Sequence, residues 1–378
     1  RRRLLDRPVS RVVGRNGTTL RSALRTAPAY TTVRVPPGTY NVTRLTVSRP
    51  LTLRGAVNAT RIVGPGNGTV VTVTAPRSAV ADVSVSGVGH ERVGDTANAT
   101  GWASRERAAY ALADSAVRFV NATDSLAAGL AVRTPANGIT LLGSDGSVVA
   151  NTTVVGNVPW RDGYMGTLAF NSRVVVQDSH FDGGRDGVYT HAAHGSVVRN
   201  STMRNLRYGV HEMYTSRTLL EGNRVRHARI GLVVMTHPDG NLVVGNAARA
   251  CASGVVVRGR RNFVANNALA ADGAGLLVAG SESVYTGNAL VRDHVGARVL
   301  STLPDDRVTR NDFVADGRAV GLGQFGPLYV WNGNYWANAP GVDGNANGVL
   351  GRAYWPTSAV GRRTGTAAGA TLARSPAL

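Results

Sequence analysis

The sequence predicts an all-β chain, a right-handed parallel β-helix with a short N-terminal helical cap. Three observations predict it: a repeat of about 22 residues in 187–336, a second series with the same period, and 46 Gly and 15 Pro among 378 residues. Long helices do not tolerate that density of breakers. Glycines that precede apolar stretches stand at Gly187, Gly209, Gly231, Gly254, Gly275 and Gly296, in steps of 22, 22, 23, 21 and 21. Asparagines that follow the next short strand stand at Asn200, Asn223, Asn246, Asn267, Asn288, Asn311 and Asn334, in steps of 23, 23, 21, 21, 23 and 23. Two registers with one period indicate a solenoid. A leucine-rich repeat shares the period, but the recurring units here are Gly-Val/Leu-x-Val and Val-x-Gly-Asn. Val favours strands, and Gly or Asn is expected to take the left-handed conformation at the corners between them.

In chain order, TTLRSALRTA places Leu20, Ala23, Leu24 and Ala27 on one helical face, so residues 1–32 are read as a cap over the end of the core. Coils are expected from residue 33 to 336, with Asn121, Asn151 and Asp178 at upstream corners. Trp331, Tyr335 and Trp336 break the period and are expected to close the other mouth, and 337–378 is read as an irregular Ala/Gly/Arg-rich tail.

All 42 basic residues are Arg, and against 23 acidic ones they leave a net charge of +19. Such a field favours anionic partners. With 6% aromatic residues and no helix-turn-helix, zinc or stacking signature, an acidic protein surface, polysaccharide or headgroup ranks above nucleic acid. One cysteine, Cys251, excludes an internal disulfide and reads as an ordinary small residue. Eight Asn-x-Thr sequons, from Asn16 to Asn200, fit an extracytoplasmic protein. Arg1–Arg3 and the short polar run after them do not make a signal-peptide core, so a leader is expected to have been removed or to lie outside this chain.

Counting from each coil glycine, offsets one and three read as inward and offsets two and four as outward. His191, Met213 and Met235 then share one outward ladder, with His211 beside Met213 and with His237 and His194 near the same edge. Thioether plus imidazole is a soft donor set that selects Cu(I) over Ca, Mg or Zn. The plainer reading is Met as a gap filler and His on a solvated face. Glu212 falls at an inward offset, so a local slip of the alternation is expected there. Two other constellations are weaker. The VDGNANG run opens like a calcium loop but ends at Tyr354 where a Glu belongs, which favours a turn. Asp182, Arg185, Asp186 and His191 could be an acid–base set on carbohydrate, though Arg185 and Asp186 read first as corner residues.

The runs RDGVYTH, LRYGVHEMYTS, LLEGN and IGLVVMTH, with GNYWANAPGVDGNANG and the N-terminal PPGTYNVTRLTVSRPLTLRG, resemble the NosD-type β-helix proteins of nitrous oxide reductase maturation. The resemblance implies a pectin-lyase-like solenoid and a non-enzymatic periplasmic or extracytoplasmic accessory protein that handles copper for the reductase's copper centres. It implies as partners an ABC-type ATPase/permease, the apo-reductase and a small copper chaperone, with membrane association only through those partners. The copper set expected is His191, Met213 and Met235, supported by His211 and His237. VVMTHPDG departs from the Met-Tyr-Ser more usual in the family at the second methionine, and the calcium-like loop lacks acidic residues that relatives carry. The rivals are a polysaccharide lyase or epimerase and a metal-free docking scaffold.

Overall fold

The computed structural model describes residues 2–90, 110–300, 305–314, 317–321 and 330–337. The calcium-like run and the tail expected at 337–378 lie, but for Ala337, outside them. The chain is an all-β parallel solenoid of about 13 turns. It divides into two compact units, Arg1–Ser216 and Arg217–Leu378.

In the first unit each coil contributes short strands that pair in parallel with the equivalent strands of the next. One face runs through Thr32–Arg34, Thr52–Arg54, Ala79–Ala81, Leu126–Ala128, Ser147–Ala150, Val174–Gln177 and Val197–Arg199. Its inward column, Val33, Leu53, Val80, Ala127, Val149, Val176 and Val198, is buried throughout, because β-branched and aliphatic side chains pack best on a pleated surface covered from one side. Pairing begins upstream of the expected residue 33: Val9–Val12 already pairs in parallel with Thr32–Arg34.

The expected cap helix forms at Leu20–Thr26. The Thr19 hydroxyl accepts from the Ser22 amide at 3.1 Å, satisfying one of the helix's orphan donors, and Leu20, Ala23, Leu24 and Ala27 are buried as the period requires.

In the second unit the column is Leu220, Val243, Val264, Tyr285 and Val308, all buried. At its far end Trp336 stacks on Phe313 with ring centroids 4.4 Å apart, and Trp331 packs beside both, whereas Tyr335 is exposed. Cys251 is buried, and its thiol lies 3.4 Å from the Arg249 carbonyl. Among the described residues no helix is long and apolar enough to cross a membrane.

The two series that reveal the period do work other than the expected one. The coil glycines do not have positive φ. They are glycine because backbone passes close by: a Cβ on Gly254 would stand 2.4 Å from the Gly275 carbonyl oxygen, and one on Gly231 2.4 Å from that of Gly254. The left-handed corners fall instead one residue before each asparagine, at Gly222, Gly245, Asn266, Gly287, Arg310 and Gly333. The asparagines point inward and form a buried ladder. Asn246 Nδ2 donates to Asn267 Oδ1 at 3.0 Å, Asn267 to Asn288 at 2.8 Å and Asn288 to Asn311 at 2.9 Å, and each Oδ1 also accepts the backbone N–H of the preceding asparagine. Asn200 is the exception, a left-handed corner (φ 49°) with Ser201 in the inward place.

Candidate functional site

The outward face of three successive coils of the first unit carries the candidate site. Thr167–Phe170, Asp186–His191 and the second half of Thr202–Met213 pair in parallel, and register fixes which side chains are neighbours. Phe170 is opposite His191, which is opposite Met213. Leu168 is opposite Tyr189, which is opposite His211. The expected slip at Glu212 does not occur: Thr190 pairs with Glu212 between the two outward columns, and Glu212 faces the interior, fully buried.

Outward does not mean solvated here. Every residue of Asp186–His191 is buried, with His191 at 2% exposure and His211 and Met213 at 5%. Part of the covering layer is aromatic. Tyr110 lies 6.4 Å from both Tyr164 and Tyr189, Tyr164 meets His90 edge-on, and the Arg185 guanidinium lies over the Tyr110 ring.

His191 sits in this layer stacked on Phe170, with centroids 4.5 Å apart and planes 7° from parallel, and the Tyr214 ring flanks it at 5.3 Å. Its Nδ1 is 3.2 Å from the Tyr189 hydroxyl, and among the described residues nothing hydrogen-bonds to Nε2. Burial first, and the charge of His211 second, push the imidazole down to about 4. His191 is therefore neutral at ordinary pH, the form in which a histidine binds a metal.

His211 is held differently. Asp186, fully buried, accepts from its Nδ1 at 2.9 Å and from Arg207 Nε at 2.8 Å, with a second contact to Arg207 Nη2. Burial alone would raise the Asp186 carboxyl, but the hydrogen bonds and charges of His211 and Arg207 hold it down at about 2. The Nδ1–H donated to Asp186 fixes the orientation of the His211 ring, as carboxylates do for ligating histidines. Tyr189 and Tyr208 meet the ring edge-on at 4.9 and 5.0 Å.

The structure thus brings together His191, Met213 and His211. Met235 and His237 belong to the second unit: Met235 ends the strand Arg224–Met235 half-buried, and His237 is exposed with φ 55°. His194 is exposed and accepts the Ser216 amide at 3.1 Å, a turn contact. The acid–base set is not assembled either. Asp182 receives Arg204 and Asn205, while Asp186 is a strand residue turned to Arg207 and His211.

Among the described residues no group of three or more His, Cys, Asp or Glu side chains could hold a metal ion.

Sequence reasoning missed Phe170 and the Asp186–Arg207 pair. The glycine series could have found the first, because Gly166 lies one 21-residue step before Gly187 and puts Phe170 at the offset of His191 and Met213.

A family model described as periplasmic copper-binding protein (NosD) matches residues 144–341, just over half of the chain and all of the coils just described. No curated protein shows significant sequence similarity. Similar solved structures include the family 28 exopolygalacturonase of Yersinia enterocolitica, with 14% identity, a TM-score of 0.55, and coverage of 86% of this chain and 78% of that one. The A-module of the Azotobacter vinelandii mannuronan C-5 epimerase gives 15%, 0.55, 83% and 92%. A PL6 alginate lyase in complex with a trisaccharide gives 11%, 0.63, 88% and 83%. At such identities the likeness is one of fold, that of the pectin-lyase-like right-handed β-helices.

Proposed function

Because the chain belongs to the NosD family of periplasmic copper-binding proteins, we propose that it is an extracytoplasmic accessory protein that handles copper for the copper centres of nitrous oxide reductase. Copper is its cargo, carried as Cu(I). The observation that carries the reading is the registration of His191 beside Met213, with the imidazole kept neutral by burial. A neutral nitrogen and a thioether suit a soft monovalent ion and place no negative charge on it, so the ion remains exchangeable. His211, oriented by Asp186, supplies a second imidazole from the neighbouring column. The reading takes as partners an ABC-type ATPase/permease, the apo-reductase and a small copper chaperone. It requires no nucleic acid, and the membrane is met only through the partners.

Competition titration with a chromogenic Cu(I) chelator tests this. The double variant His191→Ala, Met213→Ala should bind Cu(I) at least tenfold more weakly than the parent; unchanged affinity would remove both residues from the site. The pair Met235→Ala, His237→Ala, titrated alongside, decides whether the second unit contributes.

The rival reading, a polysaccharide lyase or epimerase, draws on the fold and on the Asp186, Arg207, His211 cluster. It is the weaker one, because the Asp186 carboxylate is fully buried and already taken by a guanidinium and an imidazole. Alginate and pectate incubated with the protein should yield neither unsaturated products nor epimerised residues.

A further inference from the structure

The cap of the first unit holds a cleft of about 640 Å³ lined by Arg21, Arg25, Arg44 and Arg49 together with Thr43, Thr46, Ser48, Pro65 and Asn67. The fold builds it from two elements. Leu20, Ala23 and Leu24 turn one face of the helix Leu20–Thr26 into the core, which leaves Arg21 and Arg25, one turn apart, side by side on the exposed surface. The strand Leu45–Val47 buries Leu45 and Val47 and exposes Thr46, with Arg44 and Arg49 at and beyond its ends. Four guanidinium groups therefore share one cleft, and none of the nine lining residues is acidic.

Their contacts within the protein do not neutralise them. Arg21 Nη2 donates to the Thr43 hydroxyl at 2.5 Å and to the Arg44 carbonyl at 3.3 Å, and Arg49 Nη1 donates to the Ala27 carbonyl at 3.0 Å. All three acceptors are uncharged, so these bonds aim the cations without discharging them. The guanidinium groups of Arg25 and Arg44 have no hydrogen-bond or ion-pair partner among the described residues. Like charges one turn apart destabilise a helix, so stability alone does not call for Arg at both 21 and 25.

We propose that this cleft binds a phosphoryl group, either on a soluble phosphate compound or on a phosphomonoester lipid headgroup. A dianionic phosphoryl offers more acceptor oxygens and more negative charge to several planar forks than one carboxylate does. The volume lies within the range of small-ligand sites and leaves room for the rest of a pyrophosphate or headgroup. The site is independent of the copper face.

Titration calorimetry of the full chain with inorganic pyrophosphate, and co-sedimentation with phosphatidylcholine vesicles containing phosphatidic acid, test it at about 0.15 M salt, where diffuse charge attraction is screened beyond roughly 8 Å. Arg25→Ala with Arg44→Ala should weaken binding at least tenfold in the arm that shows it. Arg224→Ala with Arg226→Ala, which removes the same charge from two exposed positions of the second unit, should change it less than twofold. Binding in the pyrophosphate arm identifies a soluble ligand, and binding in the vesicle arm alone a headgroup. No binding in either arm, or equal losses in the two double variants, overturns the proposal.

Discussion

The two units solve the same geometric problem with different chemistry. In the first, inward corners are held by hydroxyls: Ser147 Oγ accepts from the Ser125 amide, Ser125 Oγ from the Ser78 amide and Ser196 Oγ from the Val174 amide. In the second, Asn223, Asn246, Asn267, Asn288 and Asn311 do that work, and their side chains also bond to one another. The outward faces differ more. Asp186–His191 is buried throughout under an aromatic layer, whereas its counterparts in the second unit end in exposed Arg258, half-buried Ala279 and exposed Leu300. The inner column and the close stacking of glycine backbones are shared, so they are the scaffold. What distinguishes one stretch of solenoid from another is what covers its outer face, and that is where His191, His211 and Met213 lie.

The largest expected effect comes from breaking charge pairs that look alike in sequence. Asp186 and Arg207 are almost wholly removed from solvent, while Asp239 and Arg261 remain 43% and 60% exposed in their side chains. Asp186→Ala leaves Arg207 buried without its carboxylate and should cost about 3–5 kcal/mol in denaturant unfolding. Asp239→Ala should cost far less, because an exposed pair is screened by solvent. Equal costs would mean that the covering layer does not exclude water from Asp186.

The next effect sharpens the contrast of the corners. Asn267→Ala removes the acceptor of the Asn246 amide and side chain and the donor to Asn288, and should cost about 2–3 kcal/mol. Ser125→Ala removes one acceptor and should cost about 1 kcal/mol.

A smaller effect concerns pH. His191 is held below its ordinary value of 6.5, at about 4. Between those values the unfolded chain binds the proton and the folded chain does not, so stability should fall as pH drops from 6.5 towards 4. His191→Phe keeps a ring against Phe170 and should remove that component of the pH profile. Asp186 titrates lower still, its contribution being intact above its ordinary 3.8 and lost as pH falls through about 2.

The fold was legible because stacking repeats Gly and Asn at equal spacing. Their roles were less so, since a glycine needed for a left-handed corner and one needed because a carbonyl lies 2.4 Å from its missing Cβ are the same letter. The His191–Met213 column followed from offsets alone. Its surroundings did not: Tyr110 reaches Tyr189 from a segment outside the repeat, and period analysis cannot register a residue that the period does not contain. Glu212 shows the converse, a carboxyl side chain that the alternation places inside and that hydrophobicity alone would have moved out.

The central claim is that copper is bound on the outward face of the first unit through Met213 and an imidazole. X-ray absorption at the copper edge of the Cu(I)-loaded protein tests it most directly. The account predicts a sulfur and at least one imidazole nitrogen bonded to copper, with the sulfur scatterer lost in Met213→Ala; a spectrum with oxygen and nitrogen alone, or one unchanged in that variant, would contradict it.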